Sequence, residues 1–171
     1  MNETINNLIT RRSVRSFQNK QVDEAALKQI LEAGLYAPSG MGRQPTIMVV
    51  VQDQETINQL SKLNAGVMGN DGDPFYGAPT VIVVLADSTV GTYVEDGSLV
   101  MGNLLNAAHA VGVDSCWIHR AREVFNSPEG QELLKKWNVP ENYVGIGNCI
   151  LGYATETPEA KPRKENRIIR V

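Results

Sequence analysis

Apolar positions fall into two patterns along this chain: uninterrupted runs, and stripes spaced three or four residues apart. The runs lie at 46–51, 79–86, 113–118 and 143–153 and are rich in β-branched residues. Each predicts a strand, and the first two are so continuously apolar that both faces should be covered. The stripes predict helices. A short one over 3–10 turns Ile5, Leu8 and Ile9 to one side, and a stronger one runs from Val22 to the stop at Ala37-Pro38 with Leu27, Ile30, Leu31 and Leu35 inward. Others are expected over 54–63 (Ile57, Leu60, Leu63), 92–111 (Leu99, Val100, Leu104, Ala107, Ala108, Val111) and 128–138 (Leu133, Leu134, Trp137). The 92–111 stretch is the longest and carries Gly97, Gly102, Ala107 and Ala110, small residues suited to the centre of the molecule or of a dimer interface. Strands alternating with helices, with no internal repeat, argue for one layer-packed domain over 1–171, an α/β or α+β sandwich.

Between these elements, 37–45 is rich in Gly and Pro, so its backbone can approach a ligand closely. The loop at 66–77 contains Asn70-Asp71-Gly72-Asp73 but lacks the later Glu of a calcium loop. The last stretch, 154–171, has two prolines and five basic residues yet finishes Ile168-Ile169-Arg170-Val171. A solvated tail gains nothing from that apolar ending, so an arm docked on a partner subunit is expected.

Composition narrows the function. Of 171 residues, 42% are hydrophobic and 20% charged, the net charge is −3 and the pI about 5.4, which argues against a nucleic-acid or anionic-membrane partner. Two cysteines make no disulfide framework, and no leader or membrane-length apolar run is visible, so a cytoplasmic location is expected. Against that acidic background, Arg11-Arg12-Ser13-Val14-Arg15 concentrates positive charge. Residues 11 and 15 share a side on a helix or a strand alike, and arginine forks suit a phosphate. Side-chain catalysis has no candidate. Gly145-Ile146-Gly147 lies within a strand run, there is no Walker loop or nucleophile elbow, and Cys116 and His119 face opposite sides of a strand. His109 is expected to be a satisfied core histidine. An enzyme with this sequence needs a cofactor to do the chemistry.

Four segments together resemble the flavin-dependent nitroreductase superfamily over the full length. They are Arg11 to Phe17, Ala37-Pro38-Ser39 through Gln44-Pro45, Val113 to Arg120, and Leu151-Gly152-Tyr153 followed by Lys161-Pro162-Arg163. The resemblance implies a three-layer α+β sandwich with a mostly antiparallel sheet. It also implies a homodimer that exchanges its C-terminal arms (154–171) and binds FMN at the interface. On that reading Arg11, Arg12, Ser13 and Arg15, with Lys161 and Arg163, would hold the FMN phosphate. Pro38, Ser39, Gly40 and Gly42 would approach from the other subunit. Ile118, His119 and Arg120 would lie along the ring, a backbone N–H near His119 donating to the flavin N5. The implied activity is ping-pong transfer from NAD(P)H to nitroaromatic, quinone or similar acceptors. Alternatives are reductive dehalogenation or other flavin chemistry in the same superfamily, or a phosphate- or nucleotide-binding module without redox. Four positions depart from the family pattern: Gly42 stands for its usual Asn, Thr46 for its Trp, and His119-Arg120 where small or acidic residues are common. The last pair would narrow the pocket or favour an anionic substrate.

Overall fold

The computed structural model describes all 171 residues. Four strands, β1 (Thr46–Val51), β2 (Thr80–Asp87), β3 (Asp114–Ile118) and β4 (Tyr143–Gly152), pair in the order β1-β2-β4-β3, every pair antiparallel. Alternation along β2 shows why the sheet is the middle layer. Val81, Val83 and Leu85 enter one core with α3 (Gln54–Met68), α5 (Ala121–Asn126) and α6 (Pro128–Lys136). Ile82, Val84 and Ala86 enter another with α2 (Glu24–Leu35) and α4 (Tyr93–Ala110). A strand buried on both faces has no polar side to show, so β2 reads as an unbroken apolar run. The expected three-layer α+β sandwich is the fold observed.

Several expectations need correction. β1 is an edge strand, its first five residues only partly covered, rather than a buried one. Leu35 at the end of α2 is exposed and does not complete the inward stripe. α3 continues to Met68 and ends on Gly69, whose left-handed backbone (φ 68°) turns the chain so that the Asn70 N–H donates to the Ala65 carbonyl at 3.1 Å. α5 was not anticipated. It sits directly on β4, where a Cβ on Gly145 would come within 2.4 Å of the Ala121 backbone, so only glycine permits that approach. His109 is half-buried at the last turn of α4, and its Nε2 lies 2.9 Å from the Thr10 hydroxyl of α1 (Glu3–Thr10). Cys116 and Cys149 are both buried and free, and belong to the two different cores, so the sheet separates them. No helix is long and apolar enough to cross a membrane. From Thr155 onward the chain is exposed and has no helix or strand.

Candidate functional site

The arginine segment is neither helix nor ladder strand. α1 is capped by the Asn2 side chain, which accepts from the Thr4 N–H at 2.9 Å, and the backbone turns extended at Arg11. The Val14 N–H then donates to the Ser115 carbonyl at 3.0 Å, and Ser13 bridges Ser115 in parallel. Further on, Phe17 bridges Ala154 and the Gln18 N–H donates to the Tyr153 carbonyl at 2.8 Å. This stitching lays the segment along the free side of β3 and against the root of the C-terminal arm. Extended backbone alternates its side chains. Val14 is buried, while Ser13 and Arg15 line a cavity of about 300 Å³ together with Ser16, Glu156, Thr157 and Pro158.

Two polar atoms here have no partner. Arg11 Nη1 and Ser115 Oγ are both shut off from solvent and bonded to nothing. Burying donors in this way costs about 1–3 kcal/mol each unless a group arrives to satisfy them, and more for a charge. Arg12 is differently employed, its Nη1 donating to the Ile9 and Arg11 carbonyls at 2.9 and 2.8 Å at the C-terminal end of α1. Burial holds the Cys149 thiol far above its usual range; the Cys116 thiol adds to this, and the Arg11 guanidinium opposes it. Arg11 therefore reaches inward rather than into solvent. Lys161 and Arg163 lie on the exposed arm, beyond the residues that line this cavity.

The second segment, Pro38 to Gln44, carries a 3-10 turn and three left-handed residues. Gly40–Gly42 forms a 3-10 turn, Met41 and Gln44 are left-handed (φ 55° and 49°), and so is Gly42 (φ 65°). One buried carboxylate holds it. Asp96, in the first turn of α4, accepts the Gly40 N–H at 2.8 Å on Oδ1 and the Thr92 hydroxyl at 2.8 Å on Oδ2. A Cβ on Gly40 would lie 2.5 Å from Thr92 Oγ1, so glycine is required for the turn to sit this close. Sequence reasoning did not single out Asp96. Its signal was present, an acid in the first turn of a helix, where the dipole favours it.

The third segment ends β3. Ile118 is buried, His119 and Arg120 are exposed, and the N–H groups of His119 and Arg120 donate to no group of the chain. Arg120 adopts φ 77°, a left-handed backbone that costs a non-glycine residue about 1–2 kcal/mol. Its guanidinium pairs with Glu123 Oε1 at 2.8 Å, and that hydrogen bond first of all holds the Glu123 carboxyl below its usual range. Beside it opens a cavity of about 260 Å³ between Val94 and Ser98 of α4, Trp117 and His119, and Arg122 and Glu123 of α5. Sequence reasoning passed over Arg122, which the chain places four residues past Ile118 on a helix too short to announce itself.

Arg120–Glu123 is the one ion pair in a chain with 16 Lys and Arg against 19 Asp and Glu. Arg11, Arg15 and Arg122 thus stand without carboxylate partners. Of the three only Arg11 is partly buried, Arg15 and Arg122 being exposed, and an unpaired guanidinium is suited to an incoming anion.

Comparison with known proteins agrees with this geometry. The sequence pattern of the nitroreductase family matches residues 8–73. A protein of Methanothermobacter thermautotrophicus provisionally named NADH dehydrogenase/NAD(P)H nitroreductase is 30% identical over 155 residues, covering 87% of this chain and 76% of its own. The Bacillus subtilis FMN reductase [NAD(P)H] is 27% identical, over 95% of this chain and 70% of its own. Among solved structures, a nitroreductase with bound FMN from Bacteroides fragilis superposes with a TM-score of 0.93 at 28% identity, over 100% of both chains. With its arginine segment, its Pro38–Gln44 turn and its β3 end held on this sandwich, the chain belongs to the nitroreductase family.

Proposed function

We propose that this chain is an FMN-dependent oxidoreductase that takes reducing equivalents from NAD(P)H and passes them to nitroaromatic, quinone or similar acceptors. The observation that carries this reading is the pair of buried, unpartnered groups, Arg11 Nη1 and Ser115 Oγ, on the two stitched segments of which the first also supplies Ser13 and Arg15 to a cavity. These donors fit an approximately dianionic phosphate monoester, and Lys161 and Arg163 would close over it from the arm. When bound, FMN supplies two-electron chemistry at its N5, which no side chain here can provide.

The protein's part is to bind, orient and donate. Arg11, Ser13 and Arg15 anchor the phosphate end, and the free N–H groups of His119 and Arg120 are available to a ring acceptor. The left-handed backbone at Arg120 turns the chain from β3 into α5, so both amides lie at the strand's open end. Pro38, Ser39, Gly40 and Gly42 would meet the ring from a second copy. A homodimer suits the surface. Ile5, Leu8 and Ile9 of α1 are each about half exposed, Leu99 of α4 is 46% exposed, and Ile168 and Ile169 of the arm are 84% and 86% exposed. We read the molecule as one domain, 1–171, whose arm 154–171 crosses to its partner. Two buried free thiols suit a cytoplasmic protein.

The test is a visible absorbance spectrum of the purified protein, before and after anaerobic addition of NADH or NADPH. Flavin bands that bleach are expected. Bands that never form, even with FMN supplied, would overturn the reading.

A further inference from the structure

We propose that Asp96 is a positioning residue for the flavin site of the other copy in the dimer, acting through the Pro38–Gln44 turn that it holds. The inference deepens the flavoenzyme reading above and rests on it for the flavin and for the second copy. Its own support is the way the turn is anchored and what its backbone leaves unspent.

The turn carries strain and little to hold it. Met41 and Gln44 are left-handed, a backbone that non-glycine residues avoid, and Met41 stands 86% exposed at the tip. Inside the turn the Gly42 N–H donates to the Ser39 carbonyl at 3.0 Å, the Arg43 N–H to the Gly40 carbonyl at 3.2 Å, and the Gln44 N–H to the Ser39 hydroxyl at 3.0 Å. The N–H groups of Ser39 and Met41 donate to no group of the chain and stay open to a ligand laid on the turn. A single hydrogen bond ties residues 38–44 to a distant element, and it is the one from the Gly40 N–H to Asp96 Oδ1.

The anchor is itself fixed. α4 lies so close to β4 that a Cβ on Gly97 would come within 2.6 Å of Ile146 Cγ1. Asp96 is buried and in no ion pair, a costly state for a carboxylate that only its contacts with Gly40 and Thr92 offset. The helix then sets which site the turn can serve. Val94 and Ser98, four residues apart on one face of α4, line the cavity at the β3 end, the seat of this copy's own ring. Asp96 lies on the other side of the helix and meets Gly40 there. No residue of the turn lines that cavity or the one beside Ser13 and Arg15, so the turn is held out for a second copy.

Flavin binding by variants and by mixed dimers tests this. Asp96→Leu should weaken FMN roughly tenfold or more, read by flavin fluorescence, while Asp96→Asn, which keeps an acceptor for the Gly40 N–H, should stay within about threefold. Gly40→Ala would place its Cβ 2.5 Å from Thr92 Oγ1 and should repeat the loss with the carboxylate intact. Inorganic phosphate needs only the arginine segment, so calorimetry should find it bound alike by the parent, Asp96→Leu and Gly40→Ala; a chain that merely misfolds would lose it. Asp96→Leu chains paired with Arg15→Gln chains then decide between the two copies. In such a dimer one site has both faults and the other has neither. At a flavin concentration that fills the parent and neither variant, uptake should return to about half the parent's. No recovery would assign the turn to its own copy's site and overturn the inference. FMN affinity unchanged in Asp96→Leu or in Gly40→Ala, or phosphate lost along with FMN, would overturn it as well. A parent chain that takes up no flavin overturns the oxidoreductase reading and this inference together, whereas failure of the variants alone leaves that reading standing.

Discussion

Asp96 is the residue on which the Pro38–Gln44 turn depends. Its two oxygens are each satisfied once, by a backbone N–H and by a hydroxyl, in a site that is only 3% exposed. Asp96→Leu strands both donors and should destabilise the fold by about 1–3 kcal/mol, seen as a lower denaturant midpoint at unchanged slope. Asp96→Asn keeps an acceptor for the Gly40 N–H and should lose clearly less. Equal losses for the two variants would show that the negative charge, not an acceptor for the Gly40 N–H, matters there. At this scale the sequence was informative where chemistry is local. Ser13 and Arg15 are two residues apart, so their meeting in one cavity needs only extended backbone. Asp96 holds a segment far from it in sequence and Arg122 lines a cavity that four elements build, and no spacing rule reaches that far.

Elements were legible in proportion to their length and to the simplicity of their surroundings. β2 and α4 announced themselves because each keeps one pattern for eight and eighteen residues. α5 has six residues, of which Ala121, Val124 and Phe125 are buried, too short for a repeating stripe. β1 misled because its apolar run promised cover on both sides, whereas an edge position leaves Val50 partly bare. The end of α3 was hidden by Gly66 and Gly69, read as loop when the second is a left-handed helix stop. The start of α3 carries a pH-dependent cap. The Asp53 carboxylate accepts the Thr56 hydroxyl and N–H at 2.7 and 2.9 Å, and these bonds hold its pKa below the usual carboxylate value. A depressed folded-state pKa means the cap stabilises fully above the unfolded-state value and is lost as pH falls through the folded one. Asp53→Ala should therefore be less stable than the parent near neutrality, with the gap closing in acid; a gap constant with pH would refute the cap.

At the scale of the whole molecule, apolar surface is left open in a consistent way. The face of α1, the exposed flank of α4 and the arm all present aliphatic side chains, while β2, inside the sheet, is covered on both faces. Removal of residues 164–171 takes away Ile168, Ile169 and Val171 and should shift a dimer toward monomer in sedimentation velocity. An unchanged sedimentation profile would remove the arm from the interface.

The strand order carries a consequence for how the chain comes to be folded during its synthesis. β4, the last strand made, is the only one that joins β3 to the β1-β2 pair. Until Tyr143 to Gly152 has left the ribosome, β3 has only the bridge from Ser13 beside it, and the β1-β2 pair, backed by α2, α3 and α4, is not joined to it. The growing chain thus carries two incomplete cores until its last strand is made, a stage at which exposed apolar surface favours aggregation.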